Sequence, residues 1–120
     1  IRFITSTSGF AFPEAGKVVL DTEGDEYRVG KPFVFVKDGI YHMYYSVATK
    51  KSPYRINSAF SSDGINFTRN NREVIGLSES GWDSTMICYP YVVQLNGEWI
   101  LFYNGNNFGQ TGFGYARLEH

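Results

Sequence analysis

Cysteine is nearly absent from this chain of 120 residues. The single one, Cys88, excludes an intrachain disulfide framework and any multi-cysteine zinc site. An excess of one charge is missing too. Eleven Lys and Arg against twelve Asp and Glu leave a formal net charge of -1, so no basic field exists to attract nucleic acid. Long apolar runs are lacking: the longest are a few residues, as in Val18-Val19-Leu20, too short to cross a membrane as a helix. Neither nucleic acid nor a membrane is an expected partner. No segment sustains a 3.6-residue apolar period, so no long helix is expected.

The ends add little chemistry. The chain opens at Ile1 without a methionine and closes Leu118-Glu119-His120, which looks like the start of a polyhistidine tag. The expectation is a piece of something longer, with His42 the only native histidine. No signal-peptide pattern is present. A lone reduced cysteine fits the cytoplasm, slightly favoured, without excluding secretion.

What the chain has in plenty is aromatics: 2 Trp, 9 Tyr and 10 Phe, with 13 glycines. Large rings between glycine-bearing turns point to an all-β fold. An internal repeat organises them. Pro32-Phe33-Val34-Phe35-Val36-Lys37-Asp38-Gly39 matches Pro90-Tyr91-Val92-Val93-Gln94-Leu95-Asn96-Gly97 at an offset of 58 residues. The match continues through Tyr41/Trp99, Met43/Leu101, Tyr44/Phe102 and Tyr45/Tyr103 and, one gap later, through 56–59 against 113–116. A weaker third copy sets Ile1, Ser6, Gly9 and Phe12 against Ile56, Ser61, Gly64 and Phe67.

Each unit reads as short strands and tight turns. Strands are expected over 32–37, 40–47, 55–61 and 65–69, with Pro32 at a strand start where no ladder donor is needed. Asp38-Gly39 and Asn96-Gly97 supply the positive φ values of two-residue hairpins, and 48–54 forms a polar loop. Four strands recurring at this interval are the signature of a β-propeller blade. Residues 1–23 would then close one blade, 24–80 form a complete one, 81–117 begin another, and 118–120 be tag. Open blade edges would invite self-association.

Gly30-Lys31-Pro32 through Tyr45-Ser46, Arg55-Ile56 through Phe67, and Trp82-Asp83 through Tyr91 carry a family likeness. They resemble the five-bladed β-propeller glycosidase superfamily, which includes arabinanases, xylosidases, levansucrases and invertases. The resemblance implies a carbohydrate ligand or substrate in a funnel on the propeller axis, lined by the first strand of each blade, with no cofactor or metal. In active members, acidic residues just before the strand-start proline serve as base, acid and tuning carboxylate. Glycoside hydrolysis needs two such groups about 5–10 Å apart. Here Lys31 and Tyr89 precede the prolines, and Gly30 and Cys88 precede those. Either the working carboxylates lie in other blades, or the parent protein binds sugar without hydrolysing it. A protein-interaction propeller is a further alternative, which would show an apolar patch at the funnel mouth.

Several residues are candidates for such a funnel. Asp83, in Gly81-Trp82-Asp83-Ser84, is the candidate catalytic carboxylate; its plainer role is to cap its own turn through the Ser84 or Thr85 amide. Arg28 and Lys31 could bind a carboxylate or phosphate on a charged sugar or form surface ion pairs. Trp82 and Tyr89 could offer ring faces to a sugar. Asn104, with the amides of the glycine-rich loop 104–114, could reach sugar hydroxyls, and Arg55 is an outer candidate. That loop is expected to open a strand, not a helix, which speaks against a phosphate cradle. Glu26 reads as a solvated loop charge. Cys88 with His42 as a nucleophilic pair is disfavoured, because His42 aligns with Ile100 and so packs between sheets. Asn66-Phe67-Thr68 matches a glycosylation sequon by coincidence.

Overall fold

The computed structural model describes residues 1–12 and 15–119; His120, expected to be tag, lies outside them. The chain is all-β, built as three antiparallel sheets. A minimal one pairs β1 (Arg2–Phe3) with β2 (Lys17–Val18). The central sheet runs β3 (Glu26–Lys37), β4 (Ile40–Thr49), β5 (Arg55–Ser61) and β6 (Thr68–Glu73) in sequence order. The third holds β7 (Cys88–Leu95), β8 (Glu98–Asn104) and β9 (Phe113–Arg117). Among the described residues one helical turn stands out, α1 (Asn106–Gly109), and no helix is long and apolar enough to cross a membrane.

The repeat in the sequence is a repeat in space. Both hairpins turn on the expected pairs, Asp38 at φ 52° with Gly39 at 76°, and Asn96 at 52° with Gly97 at 85°. The weak third copy is real as local structure. The Gly9 amide donates to Ser6 Oγ at 2.9 Å, as Gly64 does to Ser61 Oγ at 3.0 Å. Ser8 Oγ accepts from the Phe10 and Ala11 amides where Asp63 Oδ1 accepts from Ile65 and Asn66. Those bonds, and the Asn66 side-chain amide on Asp63 Oδ2 at 2.6 Å, tie up 63–66 as a turn. The fourth strand therefore starts at Thr68, not at 65.

The prolines also sit differently from the reading of strand starts. β3 begins six residues before Pro32, and the register breaks between Gly30 and Phe33. β7 breaks identically between Cys88 and Tyr91. Each proline thus occupies a bulge, where its missing donor costs no ladder bond.

Strand alternation gives the central sheet two apolar faces. Leu20, Met43, Tyr45, Val47 and Ala59 bury one, with Ile1 and Val19 of the N-terminal segment packed on it. Phe35 and Ile56 on the other meet Val92, Leu101 and Tyr103 of the third sheet and Ile87 just before it. His42 stacks on Phe35 at 5.3 Å; burial, then Lys37, lowers its pKa.

Candidate functional site

The two bulges place unusual backbone at one end of both first strands. Lys31 (φ 48°) and Tyr89 (φ 60°) are left-handed, as are Asn107 (52°) and Phe108 (59°) in α1. Asp38 and Asn96, the remaining non-glycine residues of this kind among those described, are ordinary hairpin positions. The other four gather at one rim. Lys31 Nζ lies 5.6 Å from the Tyr89 ring centre, and Tyr89 stacks on Phe108 at 6.1 Å. Phe108 meets the edge of Tyr54 at 5.8 Å. Left-handed non-glycine residues cost of order 1–3 kcal/mol each and concentrate at ligand sites. The Tyr89 amide donates to Ser46 Oγ at 2.9 Å, tying the third sheet to the second beside the rim.

Against this rim lies a cavity of about 370 Å³, walled by Tyr27, Arg28, Lys50, Lys51, Tyr54 and Phe108, with Thr49, Ser52, Pro53 and Met86 completing it. The Arg28 guanidinium sits 5.6 Å from the Tyr27 ring centre. Arg28 and Lys31 are exposed, and among the described residues neither forms an ion pair. A larger space of about 580 Å³ opens between the outer strands, where Arg72, Glu73 and Arg117 mix charges; it is far from the left-handed residues.

The remaining candidates are engaged elsewhere. Asp83 is 4% exposed. Its Oδ2 accepts the Tyr103 hydroxyl at 2.9 Å, while Oδ1 is buried without a partner. It does not cap its turn: the Thr85 and Met86 amides donate to Asn106 Oδ1. Trp82 is half-buried. It stacks on Tyr103 at 5.4 Å, and its ring lies so close to Gly105 and Gly114 that neither has room for a Cβ. The Asn104 side-chain amide donates to the Phe108 carbonyl at 3.2 Å. Arg55 donates to the carbonyls of Tyr54 and Thr85 at 3.1 Å each and faces Glu73 at 3.6 Å. Glu26 is no solvated charge. It pairs with Arg69 at 2.6 Å, with only 13% of its side chain exposed.

Asn106 is visible in the sequence only as one of several loop amides, yet it holds the rim together. Besides the two amides it accepts, its Nδ2 donates to the Gly81 carbonyl at 3.0 Å, and its own N–H donates to the Trp82 carbonyl at 2.8 Å. Asn106 thus ties the 81–86 segment to the 104–112 segment, joined by the Thr111 hydroxyl, which donates to the Trp82 carbonyl at 2.7 Å. Cys88 is fully buried, and burial pushes its thiol up to about 11, the reverse of what a nucleophile needs. No three His, Cys, Asp or Glu side chains gather as a metal site among the described residues.

Burial, then the Asp83 hydrogen bond and charge, pushes the Tyr103 hydroxyl up to about 12. The folded chain keeps this proton at pH values where the unfolded chain, titrating near its ordinary value of about 10, has lost it. The contribution is complete below pH about 10 and disappears as pH rises toward 12. Cys88 acts in the same direction between its ordinary value and about 11. Alkaline unfolding is expected in that window, and tyrosinate absorbance should rise together with loss of circular dichroism. Titration of every tyrosine before unfolding would contradict it.

No protein-family profile matches the chain. It is 36% identical over 122 residues to Uncharacterized protein Rv1502 of Mycobacterium tuberculosis (strain ATCC 25618 / H37Rv), and equally to Uncharacterized protein MT1551 of strain CDC 1551 / Oshkosh. All of the chain aligns, but it spans only 40% of the length of these relatives. Among solved structures it superposes on a glycoside hydrolase with TM-score 0.70 at 24% identity, covering 89% of this chain and 32% of that one. It superposes on the complex of BT0996 and RGII with TM-score 0.69 at 23% identity and the same coverages. The fold is glycoside-hydrolase-like.

Proposed function

We propose that the chain is part of a five-bladed propeller of the glycosidase superfamily, binding or processing carbohydrate in a funnel on its axis. Residues 24–80 would be one blade, flanked by the closing strands of the preceding blade and the opening strands of the next. The observation that carries this is the recurrence of one bulge. In both first strands a left-handed residue precedes the proline, and Lys31 and Tyr89 then meet at 5.6 Å. Two equivalent strand ends that touch in this way are what neighbouring wedges around a shared axis require. The likeness to glycoside hydrolases supports the same reading, and a neighbour in complex with RGII supports a sugar ligand.

Within these residues the reading favours binding over acid/base chemistry. Asp83 is sealed against Tyr103 away from the cavity, and no carboxylate among the described residues borders the cavity. Asp83 is accordingly proposed to position Tyr103 and Trp82, with any acid/base pair supplied by the remaining length that the relatives have. Tyr89 and Lys31 are the proposed sugar contacts. Arg55 and Asn104 would support the loops that present them.

The test is calorimetric titration of the chain with a panel of neutral and acidic oligosaccharides. At least one is expected to bind, and Tyr89→Ala should weaken it about tenfold, the scale of one lost ring contact. No binding by any member would overturn the proposal.

A further inference from the structure

We infer that the cavity beside Phe108 is a subsite for the anionic group of an acidic sugar, carboxylate or phosphate, held by Arg28, Lys50 and Lys51. The inference rests on the carbohydrate reading above and adds to it the charge of the ligand.

Charge balance is the first observation. Three cations line a cavity of about 370 Å³ that no carboxylate among the described residues lines. Elsewhere Lys37 faces Asp38, Arg55 faces Glu73, Arg69 faces Glu23 and Glu26, and Arg117 faces Glu98, while Arg2, Lys17, Lys31 and Arg72 form no ion pair among the described residues and stand outside this cavity. Arg28, Lys50 and Lys51 form no ion pair among the described residues, although the chain as a whole is slightly acidic. The acids nearest in sequence point away or stand outside. Glu23 and Glu26 are turned to Arg69, and Asp25 gives its carbonyl to the Lys50 amide without lining the cavity. Like charges held together without counter-charges repel one another at a cost, which a bound anion would reverse.

Rigidity is the second. Asp25 fixes the Lys50 backbone, and the Ser52 carbonyl accepts the Thr49 amide at 3.1 Å. The Thr49 hydroxyl accepts the Lys51 amide at 3.2 Å. The lysine pair therefore sits on a short ordered turn between β4 and β5. Arg28 is held over the Tyr27 ring, which leaves its planar fork free to take a carboxylate or phosphate through two bonds.

The third is what surrounds the charges. Tyr27, Tyr54 and Phe108 present ring surface in the same wall, suited to the apolar face of a pyranose or furanose. A bare inorganic anion has no use for three rings. Lys31, across the Tyr89 and Phe108 rings, extends the positive field along the rim.

The chain should be titrated by calorimetry with an oligogalacturonate, with the same oligosaccharide after reduction of its carboxyls to neutral alcohols, and with a hexose phosphate. One acidic probe is expected to bind at least about tenfold more tightly than the neutral one at low salt, and to lose most of that advantage at high salt. Preference for the oligogalacturonate assigns a carboxylate and preference for the hexose phosphate a phosphate; either supports the inference. The Lys50→Gln/Lys51→Gln double variant should remove the preference and leave thermal stability unchanged, because both side chains are exposed and unpaired. Equal affinity for the acidic and neutral probes, or a preference that survives the double variant, overturns the inference and leaves the carbohydrate reading standing. Failure of all three probes overturns the inference, and the carbohydrate reading falls with it only if the whole oligosaccharide panel fails too.

Discussion

Trp82→Ala is expected to cost about 3 kcal/mol of folding stability, at the lower end for an aromatic deletion because the residue is half-buried. The ring stacks on Tyr103 and fills a slot whose floor is two glycines. An ideal Cβ on Gly114 would lie 2.6 Å from Trp82 Cη2, and none can be added at Gly105 without meeting the Trp82 backbone and ring. Gly114→Ala should therefore cost about 1–3 kcal/mol by overpacking, although its backbone needs no positive φ. The two effects are coupled. In the Trp82→Ala background the alanine has room, so its cost should disappear. Urea unfolding of both single variants and the double one measures this coupling. Additive costs would show that the slot is not what Gly114 serves. The consequence reaches the rim, because the Trp82 carbonyl accepts from both Asn106 and Thr111.

The slot also shows where sequence reading stops. Turn chemistry is local, so Asp38-Gly39 and Asn96-Gly97 declare their hairpins, and the offset of 58 declares equivalent strands. Trp82 stands beside an acidic residue and a polar turn and looks available to a ligand. What claims its ring are Gly105 and Gly114, far along the chain, and no short-range pattern reports such a contact. The partner of Asp83, Tyr103 on β8, is hidden from a local reading for the same reason. The prolines mislead differently. A proline without a ladder donor fits a strand start and a bulge equally well, and only the register tells them apart. Lys50 and Lys51 stand in the open, but a polar loop with two lysines ordinarily means solvated charge. Their interest arises from the absence of acids in the surrounding wall, which is a property of the fold.

Self-association of the chain is expected through the open face of the third sheet, and Phe113→Ser with Tyr115→Ser should weaken it at least about tenfold for each ring removed from the contact. Strand register fixes that face. Tyr91 pairs with Phe102 and Phe102 with Tyr115, while Val92, Leu101 and Ala116 line the opposite, buried side. Phe113 is 76% and Tyr115 61% exposed, much ring surface for a face meant to meet water; Tyr91, 54% exposed, already leans on Phe33 of the central sheet with ring centres 4.6 Å apart. Their counterparts on the central sheet are Phe33, Ile56 and Ser58. Phe33 and Ile56 belong to the core that the third sheet covers. On the proposed blade reading, the third sheet would repeat that interface, and the surface to cover it is not among the described residues. In a longer protein the next wedge would cover it; in the isolated chain a second copy is what remains, and β9 adds an open strand edge beside it. Sedimentation over a concentration series, comparing the chain with the Phe113→Ser/Tyr115→Ser variant, measures the effect. Should the unaltered chain stay monomeric at high concentration, these rings are content in water and the expectation that a second copy covers this face fails.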